Sequence, residues 1–141
     1  MKTVEKSLTE IILFIDTSTI NTVVAVLNND KILDKVVWNG GGELSDSLLI
    51  KIDELLKKLN ISLHNISSIA VNPGPGSYTG LRIGISTANA ISWSRKIPIR
   101  SAKLEGNKII FLTPPSINAV IPIYSGQPNI TKPKKYKLWT C

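Results

Sequence analysis

Thirteen residues, NPGPGSYTGLRIG (Asn72 to Gly84), constrain this chain more than any other stretch. They place four glycines and two prolines between the apolar run SSIAV and sequence of helical character. A strand, a glycine-rich turn and a helix N-terminus together gather backbone N–H groups and can hold an anion. Neither standard nucleotide loop is there, however. No Lys follows a glycine at the spacing of G-x-x-x-x-G-K-[ST]. After Gly74 and Gly76 the third glycine of G-x-G-x-x-G falls one place late, at Gly80, because Thr79 stands in its place. Ser77 or Thr79 can cap the helix instead. A grip on phosphate, a grip on protein and a plain corner all stay open.

The helix predicted from Thr79 to about Trp93 raises a second question. Gly80, Gly84 and Ala88 recur every four residues, so they lie on one face as a stripe without bulk. A helical glycine costs about 1 kcal/mol against alanine, which calls for close approach by another backbone. That backbone can belong to the chain's own sheet or to a helix of another chain. Composition alone does not choose between them.

Upstream, IILFID (Ile11 to Asp16), TVVAVL (Thr22 to Leu27) and ILDKVVW (Ile32 to Trp38) read as a three-strand meander joined by the polar turns TSTIN and NNDK. Its first two strands are apolar on both faces. After NGGGE the period becomes helical. Leu48, Ile52, Leu55 and Leu59 form a stripe with Leu49 and Leu56 beside it, Ser45 or Asp46 suits the N-cap, and Lys57, Lys58 and Asn60 suit the end. SSIAVN predicts a short strand and IPI (Ile97 to Ile99) another. The order β-β-β-α-β-α-β predicts an α/β fold, a mixed sheet with helices packed on it. Beyond Arg100, NKIIFL and AVIPIY are candidate strands, although five prolines between Pro114 and Pro133 limit regular structure. QPNITKPKKYKLW reads as an extended basic tail. The expected division is a lobe over residues 1–100 and a reduced, Pro-rich basic extension over 101–141.

Charge divides the chain in a similar place. Residues 1–93 carry 8 Lys or Arg against 9 Asp or Glu, whereas residues 94–141 carry 9 bases and one acid, Glu105. All of the excess positive charge therefore lies in the last third. Such asymmetry suits a nucleic-acid or acidic-partner contact, and equally a solubilising tail. No apolar run approaches the roughly 20 residues of a membrane helix, and MKTVEKSLTE lacks the apolar region of a signal peptide. The single cysteine, Cys141, precludes a disulfide within the chain and agrees with a cytoplasmic location. With one histidine as well, His64, a Cys/His zinc site is not expected, and no metal site is assigned.

Candidates for catalysis are few. Asp16 ends the first strand and is followed by the hydroxyls of Thr17, Ser18 and Thr19. A carboxylate so placed can hold a metal-bound phosphate, but no second carboxylate stands at another strand end, and a polar turn is the plainer reading. His64 lies in the polar connection SLHNISS, apart from any Ser/His/Asp arrangement.

ILFIDTST with TVVAVL after it, the leucine helix and above all NPGPGSYTGLRIGISTANAIS together resemble the TsaB (YeaZ-like) family of bacterial tRNA modification, over roughly Ile11 to Ile99 in unbroken order. The resemblance implies the first lobe of an actin-like (ASKHA, RNase H-like) fold. It implies a non-catalytic, accessory scaffold that binds and activates a TsaD-type catalytic subunit, alongside a TsaE-type ATPase. Their reaction is threonylcarbamoyl transfer to the adenosine next to the anticodon of tRNA. ATP and metal are then used by the partner subunits, with none bound by this chain alone. The chain meets tRNA indirectly, through its basic tail at most. Contacts with TsaD, or between copies in a homodimer, fall on two helices of this lobe. Here those are the helix around Leu48, Ile52 and Leu55 and the one bearing Gly80, Arg82, Gly84 and Ala88, which turns the small-residue stripe toward partner binding. Asp16, Thr17 and Ser18 match a phosphate-loop position that is vestigial in this subunit, and Gly74, Gly76, Ser77 and Thr79 make the glycine-rich turn.

Two departures accompany the resemblance. Leu44 stands where many relatives have a histidine at the start of the first helix, and the second actin-like lobe is almost wholly missing. A chain naturally reduced in this way keeps the partner helices but does not close a two-lobed nucleotide cleft. TsaD's pair of metal-binding histidines has no counterpart. Two rival functions use the same residues: an actin-like ATP-dependent enzyme or peptidase fragment working through Asp16, and a stand-alone homodimeric regulatory form.

Overall fold

The three strands of the expected meander are β1 (Ile11–Asp16), β2 (Asn21–Asn28) and β3 (Lys31–Asn39), paired antiparallel in sequence order in the computed structural model, which describes residues 9–124. The chain continues through α1 (Leu44–Lys58), β4 (Ser68–Val71), α2 (Tyr78–Arg95), β5 (Ile99–Glu105) and β6 (Lys108–Phe111). β4 lies parallel to β1, and β5 parallel to β4. Each is reached through a helix, because parallel neighbours need a long crossover. β6 returns antiparallel to β5, so the sheet order is β3-β2-β1-β4-β5-β6.

The period-2 alternation of the central strands divides the core in two. Leu13, Ile15, Val24, Val26, Ile69, Val71 and Ile99 face both helices, which contribute Leu44, Leu48, Ile52, Leu55, Leu56, Leu81, Ile85 and Ala88. The other face gathers Ile12, Phe14, Val23, Ala25, Leu27, Ala70, Ala102 and Ile109. Edge strands β3 and β6 come into contact with each other, so the sheet curls over this second face. Full burial of one such aliphatic side chain is worth about 1.5–3 kcal/mol.

Several elements differ from expectation. α1 starts at Leu44 with no side-chain cap on either Ser45 or Asp46, because a 3-10 turn at Gly41–Glu43 has already wound the chain into it. The strand expected at Ile97–Ile99 begins only at Ile99 and runs to Glu105. Ile97 instead closes the end of α2, its N–H donating to the Ser92 carbonyl at 3.1 Å, while Lys96 takes a left-handed φ of 56°. The division expected after residue 100 therefore falls inside β5, and the sheet continues to Phe111. NKIIFL supplies β6. AVIPIY is not a strand: Pro122 has no N–H to give, and the segment lies along α2 rather than at a sheet edge. The basic tail QPNITKPKKYKLW lies outside the described residues.

Candidate partner-binding face and the Asp16 corner

β1 and β4 run parallel with Ile15 beside Val71, so Asp16 and Asn72 emerge together at the carboxyl edge of the sheet. Both Asp16 carboxylate oxygens are engaged there. Oδ1 accepts from the Ser18 N–H at 2.9 Å and from the Ser18 hydroxyl at 2.6 Å, and Oδ2 accepts from Asn72 Nδ2 at 3.1 Å. Asn72 carries the contact onward, its Oδ1 accepting from the Gly74 N–H at 2.9 Å. Thr17, 1% exposed, donates its hydroxyl to the Gly80 carbonyl at 2.6 Å.

The glycines of the turn and stripe are explained by this corner. A Cβ on Gly84 would meet the Thr17 side chain, one on Gly80 the Thr17 carbonyl oxygen, and one on Gly76 the Ser18 carbonyl oxygen. Gly74 has φ +104°, and a Cβ there would meet the Ile123 carbonyl oxygen. The backbone that the stripe approaches is thus the chain's own β1–β2 turn. Three N–H groups that an anion would use are already engaged: Gly74 with Asn72, Ser77 with the Ser18 carbonyl at 2.9 Å, and Gly80 with the Ser77 hydroxyl oxygen at 3.3 Å. Ser77 is the N-cap of α2, and Thr79 is exposed. Among the described residues no group of three or more His, Cys, Asp or Glu is placed to share a metal ion.

The expected contact residues divide sharply. Leu48, Ile52 and Leu55 are 1–4% exposed within the lobe's own core, and Ala88 and Gly84 are buried against the sheet and Thr17. Gly80 is half-buried on Thr17. All six thus pack within the lobe, because α1 and α2 both cover one sheet face, and Ile52 also lines a groove at the surface. Arg82 alone of the seven is exposed, its guanidinium 5.6 Å from the Tyr78 ring. The outward face of α1 is carried by Leu49 (58% exposed) and Ile50 (57%), whereas Trp93 (84%), further along α2, borders Ile117 and Ala119 rather than α1. Two shallow grooves follow the helices, one of about 440 Å³ lined by Leu49, Ile52, Leu56, Ile61 and Ile91, the other of about 410 Å³ between Ser45 and Arg82, Ile83 and Ser86. The signal for this face was Leu49 standing beside the stripe with Ile50 next to it.

No helix among the described residues is long and apolar enough to cross a membrane. The sheet order, the helix pair and the carboxyl-edge corner together define an α/β lobe of the actin-like, RNase H-like class. The chain superposes on YeaZ from Pseudomonas aeruginosa with a TM-score of 0.61 at 19% identity, covering 86% of this chain and 72% of that one. Residues 42–102 match the family model of TsaD, tRNA N6-adenosine threonylcarbamoyltransferase. Two tRNA threonylcarbamoyladenosine biosynthesis proteins TsaB are similar in sequence. That of Bacillus subtilis is 35% identical over 88 residues, 62% of this chain and 38% of the relative; that of Buchnera aphidicola subsp. Schizaphis graminum is 37% identical over 92 residues, 65% and 43%. The chain is thus similar in sequence to TsaB proteins and in fold to YeaZ, and the match spans about four tenths of the length of these TsaB relatives.

Proposed function

We propose that the chain is a non-catalytic scaffold that binds and activates a TsaD-type catalytic protein in the biosynthesis of tRNA threonylcarbamoyladenosine. The observation that carries this reading is the outer face of the α1–α2 pair, where Leu49 and Ile50 stand more than half exposed beside an apolar groove and Arg82 borders the next one. Apolar side chains grouped in this way on a helix pair suit a protein interface. The TsaD family model matches residues 42–102, which contain both helices, so two similar lobes can pair like surface to like surface about a pseudo-two-fold axis. Engagement of both Asp16 oxygens by Ser18 and Asn72 favours a scaffold over an ATP-using enzyme at that carboxylate. A TsaE-type ATPase and tRNA then belong to the assembly through the partner, with the basic last third of the chain supplying phosphate contacts.

Reconstitution tests this reading. A TsaD-type and a TsaE-type protein from the same genome, supplied with threonylcarbamoyl-AMP and tRNA, are expected to modify adenosine faster when this chain is added. An unchanged rate with the chain folded and in excess contradicts it.

A further inference from the structure

Residues 117–124 leave the sheet after the Ile99–Ser116 bridge and run as an extended strap along α2 to the glycine-rich turn. Three contacts seat the strap. The Asn89 side chain pairs with Val120 in both directions, Oδ1 accepting from its N–H at 2.9 Å and Nδ2 donating to its carbonyl at 3.0 Å. One side-chain amide thereby does for the strap what a neighbouring strand would do. The Ile123 N–H donates to the Pro73 carbonyl at 2.6 Å, and the Ile123 carbonyl lies over Gly74, whose missing side chain makes the room. The Tyr124 ring stacks on that of Tyr78 with centroids 4.7 Å apart, and Tyr78 in turn carries the Arg82 guanidinium at 5.6 Å.

From this chain of contacts we infer that the strap positions Arg82 on the partner face, with Asn89 as the clamp and Tyr124 as the point of transmission. The inference deepens the partner-binding reading and rests on it for its consequence, but the device itself lies within this chain. Val120 and Tyr124 turn inward onto the core, whereas Ile117 (91% exposed), Ile121 (78%) and Ile123 (54%) point out, so little apolar burial holds the strap. An element held by a few polar contacts at the surface opens on its own, without the sheet. With the strap seated, Tyr78 is braced from one side by Tyr124 and its ring attracts the Arg82 cation; with it lifted, Arg82 loses that support.

The test uses the full chain and two readouts that need no partner. In Asn89→Ala, amide exchange at Val120 and Ile123 is expected to rise together by about tenfold while β1 and β4 amides keep their protection. The ring-current shift on the Arg82 δ protons is expected to fall toward its random-coil value. Asn89→Asp retains the acceptor for the Val120 N–H and should lie between. Tyr124→Ser, which leaves the clamp intact, should lose the Arg82 shift with the Val120 amide still protected. Unchanged exchange at Ile123 in Asn89→Ala, equal loss of protection in β1 and β4, or an Arg82 shift that survives strap release would each overturn the inference. If a TsaD-type protein binds the chain, Asn89→Ala should weaken binding roughly two- to fivefold, and add nothing to Arg82→Ala. Full additivity would overturn the coupling while leaving the scaffold reading intact. A wild-type chain that binds no partner defeats the scaffold reading, and the proton shift and exchange still decide the strap.

Discussion

Thr17 donates its hydroxyl to the carbonyl of Gly80 at 2.6 Å, and one turn further along the same helix Gly84 rests on the Thr17 side chain. This contact ties the end of β1 to the first turns of α2. A methyl at residue 84 must displace Thr17, and overpacking of this kind costs about 1–3 kcal/mol. Gly84→Ala is expected to lower the urea midpoint accordingly, and Thr17→Ala in the same chain to recover part of the loss by removing both the hydroxyl and the methyl that the new Cβ meets. Additive losses in the two-residue variant would show that the contact is not the cause.

Inner and outer faces of α1 should respond oppositely. Leu55 is 1% exposed and Leu49 is 58% exposed. Leu55→Ala is expected to cost about 2–5 kcal/mol in denaturant unfolding. Leu49→Ser should stay within about 0.5 kcal/mol of the parent and still weaken capture of a TsaD-type protein. Equal stability losses from the two would refute the assignment of faces.

The end of α2 offers a stabilising substitution. Lys96 sits at φ 56° and closes the helix, a conformation that a side chain disfavours and glycine does not. Lys96→Gly is expected to raise stability by about 1 kcal/mol, read as a higher unfolding midpoint.

One ion pair carries a pH signature. Lys58 Nζ lies 2.9 Å from Asp34 Oδ2, tying α1 to β3. The hydrogen bond from Lys58, followed by that from the Lys35 N–H, holds the Asp34 carboxyl below its ordinary value of 3.8. A carboxyl depressed by folding stabilises above its unfolded pKa, and that contribution disappears as pH falls through the folded value. Asp34→Asn should therefore cost under about 1 kcal/mol at neutral pH, given the exposed lysine. The gap between variant and parent should close in acid, below the ordinary carboxyl pKa. A gap that persists at low pH would place its origin in packing.

The central fold was legible because β1 and β2 are apolar on both faces and β4 leads straight into the glycine-rich turn, signals that depend only on local pattern. What the small-residue stripe meets was not legible. A period of four fixes the face on which Gly80, Gly84 and Ala88 lie, but not whether Thr17 or another chain stands opposite. The resemblance implied an outward stripe, whereas the packing of both helices on one sheet face sets Gly80 and Gly84 against Thr17. For α1 the apolar residues continue past the inner stripe into Leu49 and Ile50, so hydrophobicity alone did not separate core from contact. The strap was misread because its pairing partner is a single side-chain amide, Asn89, 31 residues before Val120, and no strand period records that.

Partner binding through the α1–α2 face is tested most directly by light scattering with size exclusion on this chain mixed with the TsaD-type protein of the same genome. The parent and a Leu49→Ser, Ile50→Ser, Arg82→Glu variant are run side by side, each first shown to be folded. A heterocomplex is expected with the parent, and its loss in the variant. No complex from the folded parent well above micromolar concentration, or one that survives all three substitutions, would contradict binding through this face.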